Sequence, residues 1–275
     1  MKNLFITFLI ILLFSSCRIS FNLSKNDDAI NLEDYELVFH DDFNGTQIDN
    51  NNWMYCAEVE RQDYHGKWQN SCSTVENGNY VINCTLDENG KPISGGIKSA
   101  GRFDQTYGLY HIRFKMPKTN AMWFAFWLMS YGMGEEPGTV GNGAKDGAEL
   151  DIFEIVPGAD EFSMSVHWDD YDKDLKSSSE WFYISEEFGE EFYDEYHDVW
   201  YLWDENGYQL FIDGLSENNR KFNFSGEEHG EGTCQVPCYM ILSVEYGAWG
   251  GALDETQFPF KIYVDSVSVY AKNQK

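Results

Sequence analysis

Glu149-Leu150-Asp151-Ile152-Phe153-Glu154 places three acidic residues within six positions of an otherwise apolar segment. An unpaired ion buried in such a run is costly, so the pattern needs a reason. Side chains alternate faces along a strand, so Glu149 and Asp151 point the same way. Glu154 would fall on the opposite face of a regular strand. One extra residue, a β-bulge at Ile152-Phe153, returns it to the face of the other two. Leu150 and one of Ile152 or Phe153 then point into the core. At strand rise the Cα atoms of Glu149 and Asp151 lie about 6.6 Å apart, and Glu149 and Glu154 about twice that. Both outer residues are the longer acid and can lean inward, to a gap of roughly 5–5.5 Å. Two carboxyls at that gap can attack a sugar's anomeric carbon and protonate its leaving oxygen. The competing reading, a solvated acidic strand, does not explain Ile and Phe between the charges.

Such a set needs a rigid sheet. From Tyr35 onward the chain reads as strand after strand: Tyr80-Val81-Ile82-Asn83-Cys84, Gly108 to Lys115, Trp200 to Trp203, Tyr208 to Ile212 and Lys261 to Tyr270. Turn pairs separate them at Asn77-Gly78, Asn89-Gly90, Asn206-Gly207 and Asp213-Gly214. Only Glu186 to Tyr196 reads as a short helix. With no repeat and no internal linker, this predicts one all-β sandwich. The Gly-rich Tyr131–Gly147 stretch enters the acidic strand. No Lys-Ser/Thr follows it in a P-loop pattern, so it reads as a loop at the rim of the site.

The 275 residues are 43% hydrophobic and 17% aromatic, with 9 Trp and 17 Tyr, ample for a full core and suited to stacking on sugar rings. A net charge of −27 repels nucleic acid and favours a neutral ligand. Lys2 and the apolar run Leu4–Phe14 form a signal-peptide core too short to span a membrane. That run ends in Phe14-Ser15-Ser16-Cys17, which resembles a bacterial lipobox with Cys17 as the lipidated residue. The expected organisation is residues 1–17 as lipoprotein signal, 18–34 as a polar tether and 35–275 as a single domain. The expected location is the bacterial cell envelope, on the outer membrane or cell surface, with the lipid as the membrane contact. Of the remaining cysteines, Cys234 and Cys238 are close enough to bridge a tight loop, and Cys56, Cys72 and Cys84 compete for one bond. No C-x-x-C pairs or clustered His support a zinc site.

An ordered set of further motifs carries a resemblance. Phe39-His40-Asp41-Asp42-Phe43-Asn44-Gly45 with Trp53, Tyr107-Gly108, Trp123-Phe124-Ala125-Phe126-Trp127-Leu128, His167-Trp168, Asp213-Gly214, Trp249-Gly250-Gly251 and Asp265 flank the acidic strand in order. Together with E-x-D-x-x-E they resemble glycoside hydrolase family 16, the laminarinase, lichenase and agarase group, over nearly the whole mature length. Met122 and Phe124 replace the Gly and Pro expected around Trp123, and Ser243 and Glu245 stand where many members carry an Asn-rich strand.

The resemblance implies a jelly roll of two curved antiparallel sheets, the concave one holding a glycan groove, and retaining hydrolysis of internal β-linkages. Glu149 would be the nucleophile, Glu154 the general acid and then base, and Asp151 the residue that hydrogen-bonds the nucleophile. Trp123, Trp127 and Trp249 would contact sugar, with His167, Arg102 and Glu245 lining the groove. Asp265 and the backbone near Gly78 would hold a structural calcium on the convex face; catalysis would need no cofactor. The expected substrate is a neutral β-1,3- or mixed-linked glucan. The alternatives are an agar-like galactan, a host O-glycan, or glycan binding without catalysis. The expected partner is the polysaccharide alone, with the protein a monomer.

Overall fold

The structure is a computed structural model that describes residues 29–58, 66–120, 122–132, 143–171, 173–225, 231–247 and 251–274. Within these, the strands are β1 (Tyr35–Asp41), β2 (Met54–Tyr55), β3 (Lys67–Trp68), β4 (Ser73–Val75), β5 (Tyr80–Leu86), β6 (Pro92–Ser94), β7 (Gly96–Lys98), β8 (Gly108–Lys115) and β9 (Met122–Ser130). They continue as β10 (Glu149–Val156), β11 (Glu161–Trp168), β12 (Lys176–Tyr183), β13 (His197–Asp204), β14 (Gly207–Ile212), β15 (Arg220–Ser225), β16 (Cys238–Tyr246) and β17 (Phe260–Lys272).

Two sheets form from them. A seven-stranded sheet runs β12-β11-β10-β9-β16-β7-β2, and a ten-stranded sheet runs β15-β14-β13-β8-β17-β5-β6-β3, with β1 on β17 and β4 on β5. Pairing is antiparallel except between β3 and β6. The alternation that marked the strands sets the core. Tyr110, Ile112 and Phe114 of β8 point inward to meet Phe124, Phe126 and Phe153 of the facing sheet. Fully burying each such side chain contributes about 1.5–3 kcal/mol. This is the sandwich expected, in jelly-roll form.

Two expectations change. The helix expected over Glu186–Tyr196 is one turn, α1 (Ile184–Glu187), followed by a 3-10 turn at Glu190–Phe192. Gly189 between them has φ +75°, outside the helical region, and it ends the run. The packed chain also begins ahead of Tyr35. Ile30 is buried against Leu109, Phe211 and Leu215, and Ala29 N–H donates to the Leu215 carbonyl. Leu109 precedes the inward Tyr110 and so turns the other way, which puts this N-terminal segment on the outer face of the ten-stranded sheet, away from β10.

The expected Cys234–Cys238 bridge is absent. The two sulfurs face each other at 3.7 Å as thiols, and Cys56, Cys72 and Cys84 are buried and form no disulfide either. The backbone at Cys234 is held instead by hydrogen bonds, its N–H to the Tyr208 hydroxyl and its carbonyl to Trp203 Nε1.

Candidate active site

The bulge is where the sequence requires it. On β11, Asp151 pairs with Ser165 and Glu154 with Ser163, so Ile152 and Phe153 together oppose the single residue Met164. On β9, Asp151 pairs with Trp127, Phe153 with Phe126 and Glu154 with Ala125. The extra residue returns Glu154 to the face of Glu149 and Asp151. Ile152 and Phe153 are both buried in the core, where only one was expected to be. With Leu150 they clamp the strand from behind, so the carboxyls cannot rotate away.

Neighbouring strands shape the space around each acid. Glu154 is flanked by Ala125 and Ser163, Asp151 by Trp127 and Ser165, and Glu149 by Met129 and His167. Small residues thus sit beside the acid that needs room for a substrate oxygen. The result is a cleft of about 350 Å³ lined by Trp123, Ala125, Trp127, Met129, Glu149, Asp151, Glu154, Tyr171, Ser243 and Glu245.

The electrostatics separate the two glutamates. Burial, then the charges of Asp151 and Glu149, push the Glu154 carboxyl well above the ordinary carboxylate range; Glu245 adds to this and a hydrogen bond from Trp123 opposes it. This favours the protonated form of Glu154, the form in which a carboxyl can act as a general acid. At the other end, the Tyr171 hydroxyl donates to Glu149 Oε2 and lies 3.7 Å from Met129 Sδ. A donated hydrogen bond favours the ionised carboxylate, the form a nucleophile needs. His167 Nε2 lies 3.2 Å from Asp151 Oδ2. Burial lowers the His167 pKa, but the Asp151 hydrogen bond and the charges of Asp151 and Glu149 outweigh it, and the net shift is upward. The shift favours the cationic ring, whose charge opposes the crowding of negative charge.

Glu149, Asp151 and His167 bring ligand atoms within 4.8 Å of one another. Hydrogen bonds to Tyr171 and between Asp151 and His167 account for that cluster. A retaining carboxylate pair works without a cofactor.

The structure sorts the remaining candidates. Trp123 and Trp127 share the cleft face. Trp123 is 4% exposed and is engaged with Glu154, so it holds the acid more than it offers a stacking surface. Trp127 is half-buried, its Nε1 donating to Ser243 Oγ at 3.1 Å. Glu245, opposite Trp123, lines the cleft as expected. Met122 and Phe124 do not: alternation turns them into the core, so these departures from the family pattern leave the cleft surface unchanged. Arg102 is not part of the cleft lining. It is exposed, and its Nε donates to the Asn50 carbonyl at 2.7 Å. Trp249 and Cys17 lie outside the described residues.

Asp265 and the turn that holds Gly78 are linked through Tyr196. Tyr196, whose pKa the Asp265 charge helps to raise after burial, donates to Asn79 Oδ1 at 2.8 Å. But Asp265 Oδ2 lies 3.8 Å from Arg113 Nε. Calcium takes roughly six to eight oxygens, so an ion held here would have to draw Asp265 away from Arg113.

Tyr171 was not legible from the sequence. It follows Asp169 and Asp170, both in the left-handed region at φ 61° and 73°, which Asp tolerates. Lys176 Nζ pins the buried Asp169 at 2.6 Å. The doubled turn is what aims Tyr171 at Glu149. The run of Asp around Tyr171 hints at a turn but not at its target.

A sandwich with two electrostatically distinct glutamates on one bulged strand is the framework of a glycoside hydrolase. The sequence profile of Glycosyl hydrolases family 16 matches residues 60–266, and the chain belongs to that family. It is 26% identical over 263 residues to a keratan-sulfate endo-1,4-beta-galactosidase of Sphingobacterium multivorum, covering 89% of this chain and 57% of that protein. It is 24% identical over 267 residues to glucan endo-1,3-beta-glucosidase A1 of Niallia circulans, covering 85% of this chain and 37% of that protein. The chain therefore spans well under two thirds of the length of these curated relatives. The laminarinase catalytic domain from Thermotoga maritima MSB8 superposes with a TM-score of 0.70 at 26% identity, over 88% of this chain and 100% of that one.

Proposed function

We propose that the protein is a retaining endo-β-glycanase acting by double displacement. The observation that carries this is the bulge in β10, which puts Glu149 and Glu154 on one cleft face, where burial and neighbouring charge favour the protonated form of Glu154. Glu149 attacks the anomeric carbon while Glu154 gives its proton to the glycosidic oxygen. The carbon–oxygen bond breaks and a glycosyl ester of Glu149 forms. Water then enters the vacated side and Glu154 takes one of its protons. The water oxygen bonds to the anomeric carbon, the ester breaks, and Glu149 is free again with the configuration retained. Asp151 and His167 position the nucleophile and spread its charge.

A neutral β-1,3- or mixed-linked glucan fits this cleft best. Four of its lining side chains are acidic, and among the described residues no Lys or Arg lines it. The structural likeness to a laminarinase domain supports the same reading. The sequence likeness to a keratan-sulfate endo-galactosidase favours a galactan as second reading. Sulfate esters, however, would meet carboxylates here, and among the described lining residues no guanidinium stands ready to bind them. Digestion of laminarin, mixed-linked β-glucan, agarose and mucin O-glycans decides the question. Mixed oligosaccharides are expected early from the glucans; cleavage of galactan or mucin glycans alone would replace this reading by the second.

We also propose that Cys17 carries a lipid that tethers the domain to the cell envelope. Its support is the apolar run ending in small residues and cysteine. Among the described residues no helix is long and apolar enough to cross a membrane. A chain entering on the outer face of the ten-stranded sheet would leave the cleft turned from the anchor. Cys17→Ala is expected to move the protein to the soluble fraction; unchanged detergent partitioning would refute the tether.

A further inference from the structure

The cleft sheet carries two large aromatic side chains that the cleft itself does not use. Trp181 is 53% exposed and Tyr183 is 42% exposed, their rings 4.9 Å apart in an edge contact. Both are on β12, the edge strand. Directly paired residues of neighbouring strands point to the same face. Ser177 pairs with His167, Ser179 with Ser165, Trp181 with Ser163 and Tyr183 with Glu161. His167 reaches Asp151 from that face, and the Ser165 and Ser179 hydroxyls touch at 2.9 Å. Phe182, between the two aromatics, turns the other way and stacks on Phe162 in the interior. Trp181 and Tyr183 therefore stand on the face of the catalytic carboxylates. Trp181 lies in the same row as Glu154, through Ser163. Two inter-strand steps separate them, about 10 Å between Cα atoms.

Nothing in the core requires these rings. The same face of β12 is served by serine at positions 177 and 179, so a polar residue is compatible with the strand. Exposed aromatics grouped beside a cleft mark a binding surface. Their position also decides the occupant. The Trp127 side of the cleft lies across β9 and β16, whereas Trp181 and Tyr183 lie on the other side of β10.

We propose that Trp181 and Tyr183 form an aromatic platform that stacks on further sugar rings of the same polysaccharide chain, so that the polymer crosses β10 and is held on both sides of the bond to be cut. The platform rests on the reading of the cleft as a glycanase site. It also explains internal cleavage, because a chain bound on both flanks is not gripped by its end.

The test uses the Glu149→Ala protein, which binds without turnover, in affinity electrophoresis through gels containing laminarin. Adding Trp181→Ala and Tyr183→Ala is expected to weaken the apparent Kd about tenfold or more. Trp181→Phe with Tyr183→Phe keeps two stacking faces and is expected to stay close to the parent. Thermal melting checks that each variant is folded. An unchanged Kd in the alanine pair overturns the platform. So does a wild-type chain that dimerises through β12 and becomes a monomer in the alanine pair. Wild-type digestion of laminarin runs alongside. If another polymer of the digestion panel is the one cut, it replaces laminarin in the gel. If none is cut, the glycanase reading fails first, separately from the platform.

Discussion

Glu149→Ala is expected to lower kcat on polysaccharide by about four orders of magnitude or more, equivalent to about 5–6 kcal/mol of lost transition-state stabilisation. The variant keeps the acid and the binding surface but has no atom to form the glycosyl ester. KM should change far less than kcat, because a nucleophile contributes chiefly in the transition state. The fold should tolerate the change. Glu149 is only half-buried at the mouth of β10, and Leu150, Ile152 and Phe153 still hold the strand. Rates from reducing-sugar release on the identified polymer, with melting curves alongside, check this. Activity within tenfold of wild type would place the nucleophile elsewhere.

Glu154→Ala has a different signature. General acid catalysis contributes roughly 10²–10⁴-fold, so turnover of polysaccharide should fall by about that factor. An activated aryl glycoside needs no proton on its leaving group, so formation of the intermediate should survive on that substrate. The pH profile supplies the sign. Burial and the Asp151 and Glu149 charges raise the Glu154 pKa, and the acid works while protonated. Wild-type kcat/KM should thus fall as pH rises through the raised Glu154 pKa. Glu154→Ala should lose this alkaline limb for the aryl glycoside. A limb that persists would assign it to another group.

The acidic strand was legible because only one geometry reconciles three carboxyls with the apolar residues between them. The bulge follows from side-chain alternation and needs no knowledge of partner strands. The same alternation, applied to β9, turns Met122 and Phe124 inward, although their adjacency to Trp123 suggested the cleft. Other features depend on the register of several strands and are not contained in any one segment. Trp181 reaches the row of Glu154 only through β11, and Tyr171 reaches Glu149 only because two aspartates take left-handed backbone. Arg102 failed for a related reason: a charge in a turn carries no record of which way it faces, and here it faces Asn50. The Glu186–Tyr196 helix failed although Phe188, Phe192 and Tyr196 recur at helical spacing, because Gly189 takes φ +75° and breaks the run.

The central claim is that Glu149 forms the bond to sugar and Glu154 moves the proton. The stereochemistry of azide products from an activated aryl β-glycoside, read by NMR, tests it most directly. With Glu149→Ala, azide occupies the space of the lost carboxylate and attacks the anomeric carbon itself, so an inverted α-glycosyl azide is expected. With Glu154→Ala, azide attacks the ester already formed on Glu149, so a retained β-glycosyl azide is expected. The opposite pair of products would reverse the two roles, and no azide product from either variant would contradict the double displacement on these residues.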